Sequence, residues 1–301
     1  MSGTILVATD GRPDADGAVR VGAALAEREA GAAVELVAVL VPREFSALAP
    51  SAPVPDGYVV LQDAQARDLQ LAVGRQLARV GRPEAGLATR VEVGSPASAI
   101  AERARAADAS ILAMGRQPLA LAHASARGDT ALQVVRLCPA PLLIVPPDAT
   151  EPPRSALAAI DFGPLSARAA WGVAATLPEG GHLYLLHVTW EATETEALPS
   201  LGGWKREYDE RAEARLEALA REVAAALPVQ ARAILARGDV AHEVLAIADR
   251  MNVDAVAAGR QGGGAGARVL VGTVATALVR RGRRTVMVVP PTAAEAESSR
   301  P

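Results

Sequence analysis

A glycine-rich stretch in the second half of the chain holds the residues best suited to chemistry. Gly259-Arg260-Gln261-Gly262 is followed, nine residues on, by Gly272-Thr273-Val274. Glycine has no Cβ, so Gly259 lets a strand turn sharply and Gly262 lets the backbone come close to an anion. Gly272-Thr273 reads as the opening of a helix, where unpaired N–H groups and the helix dipole favour negative charge. The Thr273 hydroxyl is placed to cap that helix or to donate to a phosphate. Gly263-Gly264-Ala265-Gly266 reads as a flap between these points. The chemistry is anion binding by main-chain donors. Lys205 is the only lysine and lies elsewhere, which excludes a loop that sets a lysine on a phosphate. The loop supplies neither a general base nor a metal-binding carboxylate, so no catalytic residue and no protein-built metal site is expected. Asp239 is a remote candidate at most. His123, His182 and His242 show no metal spacing, and His187 reads as a core residue of a buried strand.

These residues need elements to position them. Apolar runs alternate with amphipathic stretches. Strands are expected at Ala156–Ile160, Leu183–Val188, Ala231–Leu235, Ala255–Ala258 and Thr285–Val289. Helices are expected at Ser166–Leu177, Trp204–Leu227, His242–Asp249 and Val274–Arg280. Such alternation predicts a parallel sheet covered on both faces. In an open parallel sheet, ligands bind at the carboxyl ends of strands where the winding reverses. Asp161 follows the first of these strands and Gly259 follows the fourth, so both fall at that point.

The pattern occurs twice. Ala113-Met114-Gly115-Arg116-Gln117 matches Ala257-Ala258-Gly259-Arg260-Gln261, and the same offset relates Gly94 to Gly238 and Gly128 to Gly272. Val145-Pro146-Pro147 likewise matches Val289-Pro290-Pro291. Upstream, Ala8-Thr9-Asp10 matches Ala159-Ile160-Asp161 at a longer offset, the difference falling in a Pro- and Ser-rich insert from Pro42 to Gly57. Two domains are therefore expected, 1–147 and 154–291, joined through a stiff Pro-rich linker. The first copy departs where an anion would sit. Pro118 replaces the second glycine and has no N–H to offer. Asp129 stands where the second copy has Thr273, and a carboxylate at a helix start satisfies the free N–H groups itself and repels phosphate.

The Gly-x-x-Gly, nine residues, Gly-Ser/Thr pattern resembles the ATP-binding motif of the universal stress protein superfamily, and the likeness runs through nearly the whole chain twice. Leu185-Leu186-His187-Val188 resembles that family's second strand, Gly238-Asp239-Val240-Ala241 its turn before the third helix, and Arg284–Val289 its last strand. The family's Cys-Pro before that strand survives only in the first copy, as Cys138-Pro139. The resemblance implies two tandem flavodoxin-like, Rossmann-like α/β domains with strand order 3-2-1-4-5. It implies an adenine nucleotide, ATP with or without Mg2+, bound by the second domain only. The implied contacts are Ala159, Ile160, Asp161 and Val188 around the base, and Ala258, Gly259, Arg260, Gly262, Gly272, Thr273 and Val274 around the phosphates. It further implies that the last strands of the two copies pair as an intrachain pseudo-dimer, with a homodimer of chains and unidentified protein partners beyond that. The function implied is a non-catalytic or very slow nucleotide-dependent regulator of stress responses. An ATP hydrolase of the α-hydrolase-like group and a nucleotide-free scaffold are the alternatives.

Composition agrees with a globular protein. Half of the 301 residues are hydrophobic and the formal net charge is -3, so no surface calls for a nucleic-acid backbone. The one basic cluster, Arg280-Arg281-Gly282-Arg283-Arg284, closes a predicted helix, where cations suit the negative pole. One cysteine, Cys138, permits no intrachain disulfide. The apolar opening Ile5-Leu6-Val7-Ala8 is too short for a secretory leader and reads as a first strand, and no apolar run is long enough to span a bilayer. A cytoplasmic protein is expected, with no nucleic-acid or membrane partner.

Overall fold

The computed structural model describes residues 3–29, 31–41, 56–82, 87–116, 130–191, 199–261, 271–292 and 295. The chain divides into two compact units, Met1–Glu151 and Pro152–Pro301. The first unit runs β1 (Thr4–Ala8), α1 (Asp16–Arg28), β2 (Ala33–Leu40), α2 (Asp56–Arg79), β3 (Ala88–Val93), α3 (Pro96–Ala106), β4 (Ala109–Gly115), α4 (Thr130–Leu137) and β5 (Leu142–Val145). The second runs β6 (Ser155–Ala159), α5 (Pro164–Thr176), β7 (Gly181–Thr189), α6 (Pro199–Ala226), β8 (Val229–Arg237), α7 (Val240–Met251), β9 (Ala255–Gly259), α8 (Thr273–Arg281) and β10 (Thr285–Val289).

Within the first unit the strand order is β3-β2-β1-β4-β5, and within the second β8-β7-β6-β9-β10. Both are the expected order 3-2-1-4-5, and the pairings within each unit are parallel. Strands covered on both faces need continuous apolar runs rather than alternation. Leu142-Leu143-Ile144-Val145 and Thr285–Val289 are buried at every position. Leu157, Leu183 and Leu185 are fully buried in the second unit, as are Leu6, Leu36 and Leu112 in the first. Each such side chain contributes roughly 2 kcal/mol of transfer free energy. α6 begins five residues ahead of the expected Trp204, at Pro199. Proline suits a first helical turn, where its missing N–H would have no partner anyway.

The turns at the carboxyl ends are built alike in the two units. Gly94 and Gly238 follow β3 and β8 with φ of +147° and +130°, a region that side chains resist. Their N–H groups donate to the Leu40 and Thr189 carbonyls at 2.9 and 3.0 Å. Asp239 then caps α7, its carboxylate accepting from the His242 N–H at 2.8 Å. Of the arginine cluster, Arg280 and Arg281 lie in the last turn of α8. Arg284 donates to Val253 O and Asn252 Oδ1 and pairs with Asp249 at 3.3 Å, fastening the end of α7 beside β10.

Candidate functional site

β6 and β9 are neighbours whose crossovers leave in opposite directions, so a crevice opens where their carboxyl ends separate. Ala159 and Ile160 of the first strand end, Leu186, His187 and Val188 of β7, and Ala258 and Gly259 of β9 line its floor. Val240 and Val244 of α7 form one side, and Thr273, Val274 and Ala275 of α8 the other. Asp161, Ser166, Gln261 and Gly272 complete the rim. An apolar slot with a few polar groups at its mouth suits a flat, partly polar small molecule.

Asp161 stands exposed at the end of β6. Its Oδ1 accepts the Gly163 N–H at 2.9 Å, which folds the chain over its own side chain. Its N–H donates to Ser166 Oγ at 3.2 Å, and that hydroxyl donates to Gly163 O at 2.9 Å. Gly163 and Pro164 then start α5, proline again at a first-turn position. The carboxylate is thus held in one orientation beside the cleft. On the far side, the Arg260 N–H donates to Val289 O and the Gly272 N–H returns to Arg260 O, both at 2.8 Å. Those two bonds fix where the chain leaves β9 and where it re-enters α8. Gly272 occupies the N-cap position with an extended backbone, and Thr273 is the first residue of α8 and is exposed. Among the described residues no side chain takes the role of N-cap acceptor there.

Nine of the eleven residues singled out from the sequence line this cleft: Ala159, Ile160, Asp161, Val188, Ala258, Gly259, Gly272, Thr273 and Val274. Arg260 is adjacent, in the turn just beyond Gly259, and does not line it. Gly262 lies outside the described residues, as do Pro118, Gly128 and Asp129 of the first copy. Val244 and Ser166 were not singled out, and Val240 was named only as part of the turn before α7, not as a site residue. Val240 and Val244 follow the positive-φ Gly238 at helical spacing, a signal present in the sequence, whereas Ser166 acts through the turn it closes. His187 is buried as expected of a core histidine, but it also borders the cleft. Asp239, the remote catalytic candidate, is a helix cap. Among the described residues no three side chains of metal-ligating type come together, and no helix is long and apolar enough to cross a membrane.

The fold and the cleft define a tandem α/β protein with a ligand crevice at a topological switch point. The chain belongs to the universal stress protein family, whose model matches residues 1–146 and again 153–290. Among solved structures it resembles a universal stress protein from Archaeoglobus fulgidus DSM 4304, at 17% identity and a TM-score of 0.66, covering 97% of each chain. A functionally unknown protein from Pseudomonas aeruginosa PAO1 is similar at 16% identity and a TM-score of 0.57, covering 98% of this chain and 96% of that one. At such identities these likenesses concern the fold. A search of curated protein sequences finds no match.

Proposed function

We propose that the second unit is an adenine-nucleotide site with ATP as its ligand, and that the protein acts as a non-catalytic or very slow nucleotide-dependent regulator of stress responses. The observation that carries this reading is the convergence of Asp161, Val188, Gly259 and Thr273 on one cleft from four separate elements. The base lies in the apolar slot between Ile160, Val188 and Val244, with the Asp161 carboxylate at its polar edge. The phosphates lie toward the start of α8, where exposed main-chain donors meet the positive end of the dipole. Mg2+ would arrive on the triphosphate. The first unit is expected to bind weakly or not at all, because Pro118 and Asp129 stand at its matching positions.

Titration calorimetry on nucleotide-free protein tests this. One ATP per chain is expected, and Thr273→Asp, which copies Asp129 into the second unit, should weaken ATP at least about thirtyfold through charge repulsion. An aspartate is well tolerated in a first helical turn, so the variant should keep its fold. Adenosine, which lacks phosphate, should bind the variant as it binds the parent. Unchanged ATP affinity would remove the phosphate assignment, and rapid phosphate release from the parent would favour the hydrolase reading instead.

A further inference from the structure

The rear wall of the cleft holds a feature that the reading above does not use. The Ile160 N–H donates to Leu186 O at 2.8 Å, as a parallel ladder requires. Backbone groups of successive residues point to opposite neighbours. Thr189 faces β8, because its carbonyl accepts from Gly238, so Val188 faces β6. The next rung of the ladder would be Val188 N–H to Ile160 O. Among the described residues that bond is not formed. The Ile160 oxygen instead lies 2.7 Å from His187 Nδ1. A carbonyl can only accept, so Nδ1 carries the hydrogen there.

His187 is itself fixed from behind. Its Nε2 is 3.4 Å from the Tyr208 hydroxyl of α6, and the Phe162 ring packs against the imidazole with centroids 4.5 Å apart. Phe162 holds φ at +61°, where a bulky side chain is a true outlier. Such strain persists only where the surroundings over-determine it. Here the ring is clasped between His187 and the Arg215 guanidinium, 4.2 Å from its centroid. The first unit makes the same rung, Thr9 N–H to Val37 O at 2.9 Å. There the residue after the accepting carbonyl is Ala38, and the residue matching Phe162 is Gly11. The imidazole tether and the ring behind it are therefore present in one copy only.

We propose that His187 is a positioning residue of the base site, tethering the Ile160 carbonyl so that the Val188 main chain and Asp161 present a fixed polar edge to an adenine base. The inference deepens the nucleotide reading and rests on it. Among the described residues the next rung is unformed in both units, Val39 N–H to Thr9 O as well as Val188 N–H to Ile160 O, and in the second unit the imidazole holds the Ile160 carbonyl in place beside the Val188 main chain. The same bond fixes the backbone immediately before Asp161. Phe162 and Tyr208 act through His187 by limiting its rotamer.

The test compares adenosine, ATP and inorganic tripolyphosphate by calorimetry on the full chain. His187→Ala should weaken adenosine and ATP about tenfold and leave tripolyphosphate unchanged, since only the base edge is loosened. His187→Asn should recover affinity to within about threefold, because the asparagine amide can donate from nearly the place of Nδ1. Phe162→Gly, which keeps the tether but removes the ring that limits the His187 rotamer, should cost adenosine about threefold and serves if His187→Ala does not fold. Parent-like adenosine binding by His187→Ala, or equal losses for the Ala and Asn variants, would overturn the proposal while leaving the nucleotide site standing. A parent protein that binds tripolyphosphate and no adenosine would overturn the base site itself, and one that binds none of the three would overturn the nucleotide reading with it.

Discussion

After β1 and after β6 the chain makes the same turn. Asp10 Oδ1 accepts the Arg12 N–H at 3.0 Å, and Asp161 Oδ1 accepts the Gly163 N–H at 2.9 Å. The residue between is left-handed in both, Gly11 at φ +79° and Phe162 at +61°. What holds the turn differs. In the first unit it is a buried polar clamp from α2: Thr9 Oγ1 donates to Gln76 Oε1 at 2.6 Å, and Gln76 Nε2 donates to Asp16 Oδ1 at 2.9 Å. Arg79 closes it with two bonds of 2.7 Å to the Asp16 carboxylate. In the second unit it is the Ser166 hydroxyl, bonded to both sides of the turn, together with the stack of Phe162, His187 and Tyr208. A turn that carries an aspartate at a strand end is thus a backbone device common to both copies. The aspartate alone does not mark a ligand site, and its neighbours are what distinguish the two copies.

The largest effect should come from forcing the second unit's solution onto the first. A Cβ at Gly11 would lie 2.7 Å from the Ala72 carbonyl carbon of α2, at a φ that alanine resists. Gly11→Ala should therefore cost about 3 kcal/mol, combining a left-handed alanine with a clash against backbone that cannot rotate away. Urea unfolding monitored by circular dichroism reads this directly. A loss below about 0.5 kcal/mol would mean that α2 does not press on the turn, and the contrast between clamp and stack would fail.

The clamp also titrates, through Asp16. Burial pushes the Asp16 carboxyl up, but hydrogen bonds from Arg79 and Gln76, with the charges of Arg79 and Arg20, outweigh it and hold the group below the ordinary aspartate range. A depressed carboxylate adds stability that is present above its unfolded pKa and is lost as pH falls through the folded value. Asp209 shifts the same way: burial raises it, and Lys205 and Arg237 bring it lower. Acid unfolding of the parent therefore sums both. Asp16→Asn should cost about 2 kcal/mol near neutral pH, a figure reduced for the water around the partly exposed Arg79. The difference between variant and parent should shrink as pH falls from the ordinary aspartate range toward the depressed folded value, and vanish once the parent carboxylate is itself protonated. A difference that stays constant with pH would show that Asp16 acts by shape and not by charge.

Sequence reasoning reached the parts of this comparison that are local or repeated. The parallel sheet follows from apolar runs such as Leu142–Val145 alternating with amphipathic stretches, and the two-unit plan from duplication, whereas the strand order 3-2-1-4-5 was implied by the family resemblance. Asp161, Gly259 and Thr273 were legible as one site because each ends or begins an element at the same edge of the sheet. The clamp was not legible. Thr9 and Gln76 are 67 residues apart, and Gln76 looks like a solvent-facing position until its helix is docked, after which it is fully buried. The environment of His187 was half legible: its place in a predicted buried strand puts it in the interior, but nothing local says that it bonds to Ile160, 27 residues earlier. Such pairings depend on the separation of two packed layers, which composition does not encode.

The smallest effect sharpens the comparison from the other side. Phe162 carries two opposing contributions, a ring packed on His187 and Arg215 and a backbone in a region that favours glycine. Phe162→Ala removes the ring and keeps the left-handed penalty, whereas Phe162→Gly removes both. The Gly variant should accordingly be more stable than the Ala variant by about 1 kcal/mol, the reverse of the order in a helix or strand interior. Both should be less stable than the parent, since the half-buried ring contributes more through packing than the turn costs. Thermal and urea melts of the three proteins measure that ordering. If Ala equals or exceeds Gly, the turn is not left-handed in solution, and Phe162 holds its place without strain. If Gly exceeds the parent, the ring is a net burden on folding, retained for what it does to His187 at the cleft.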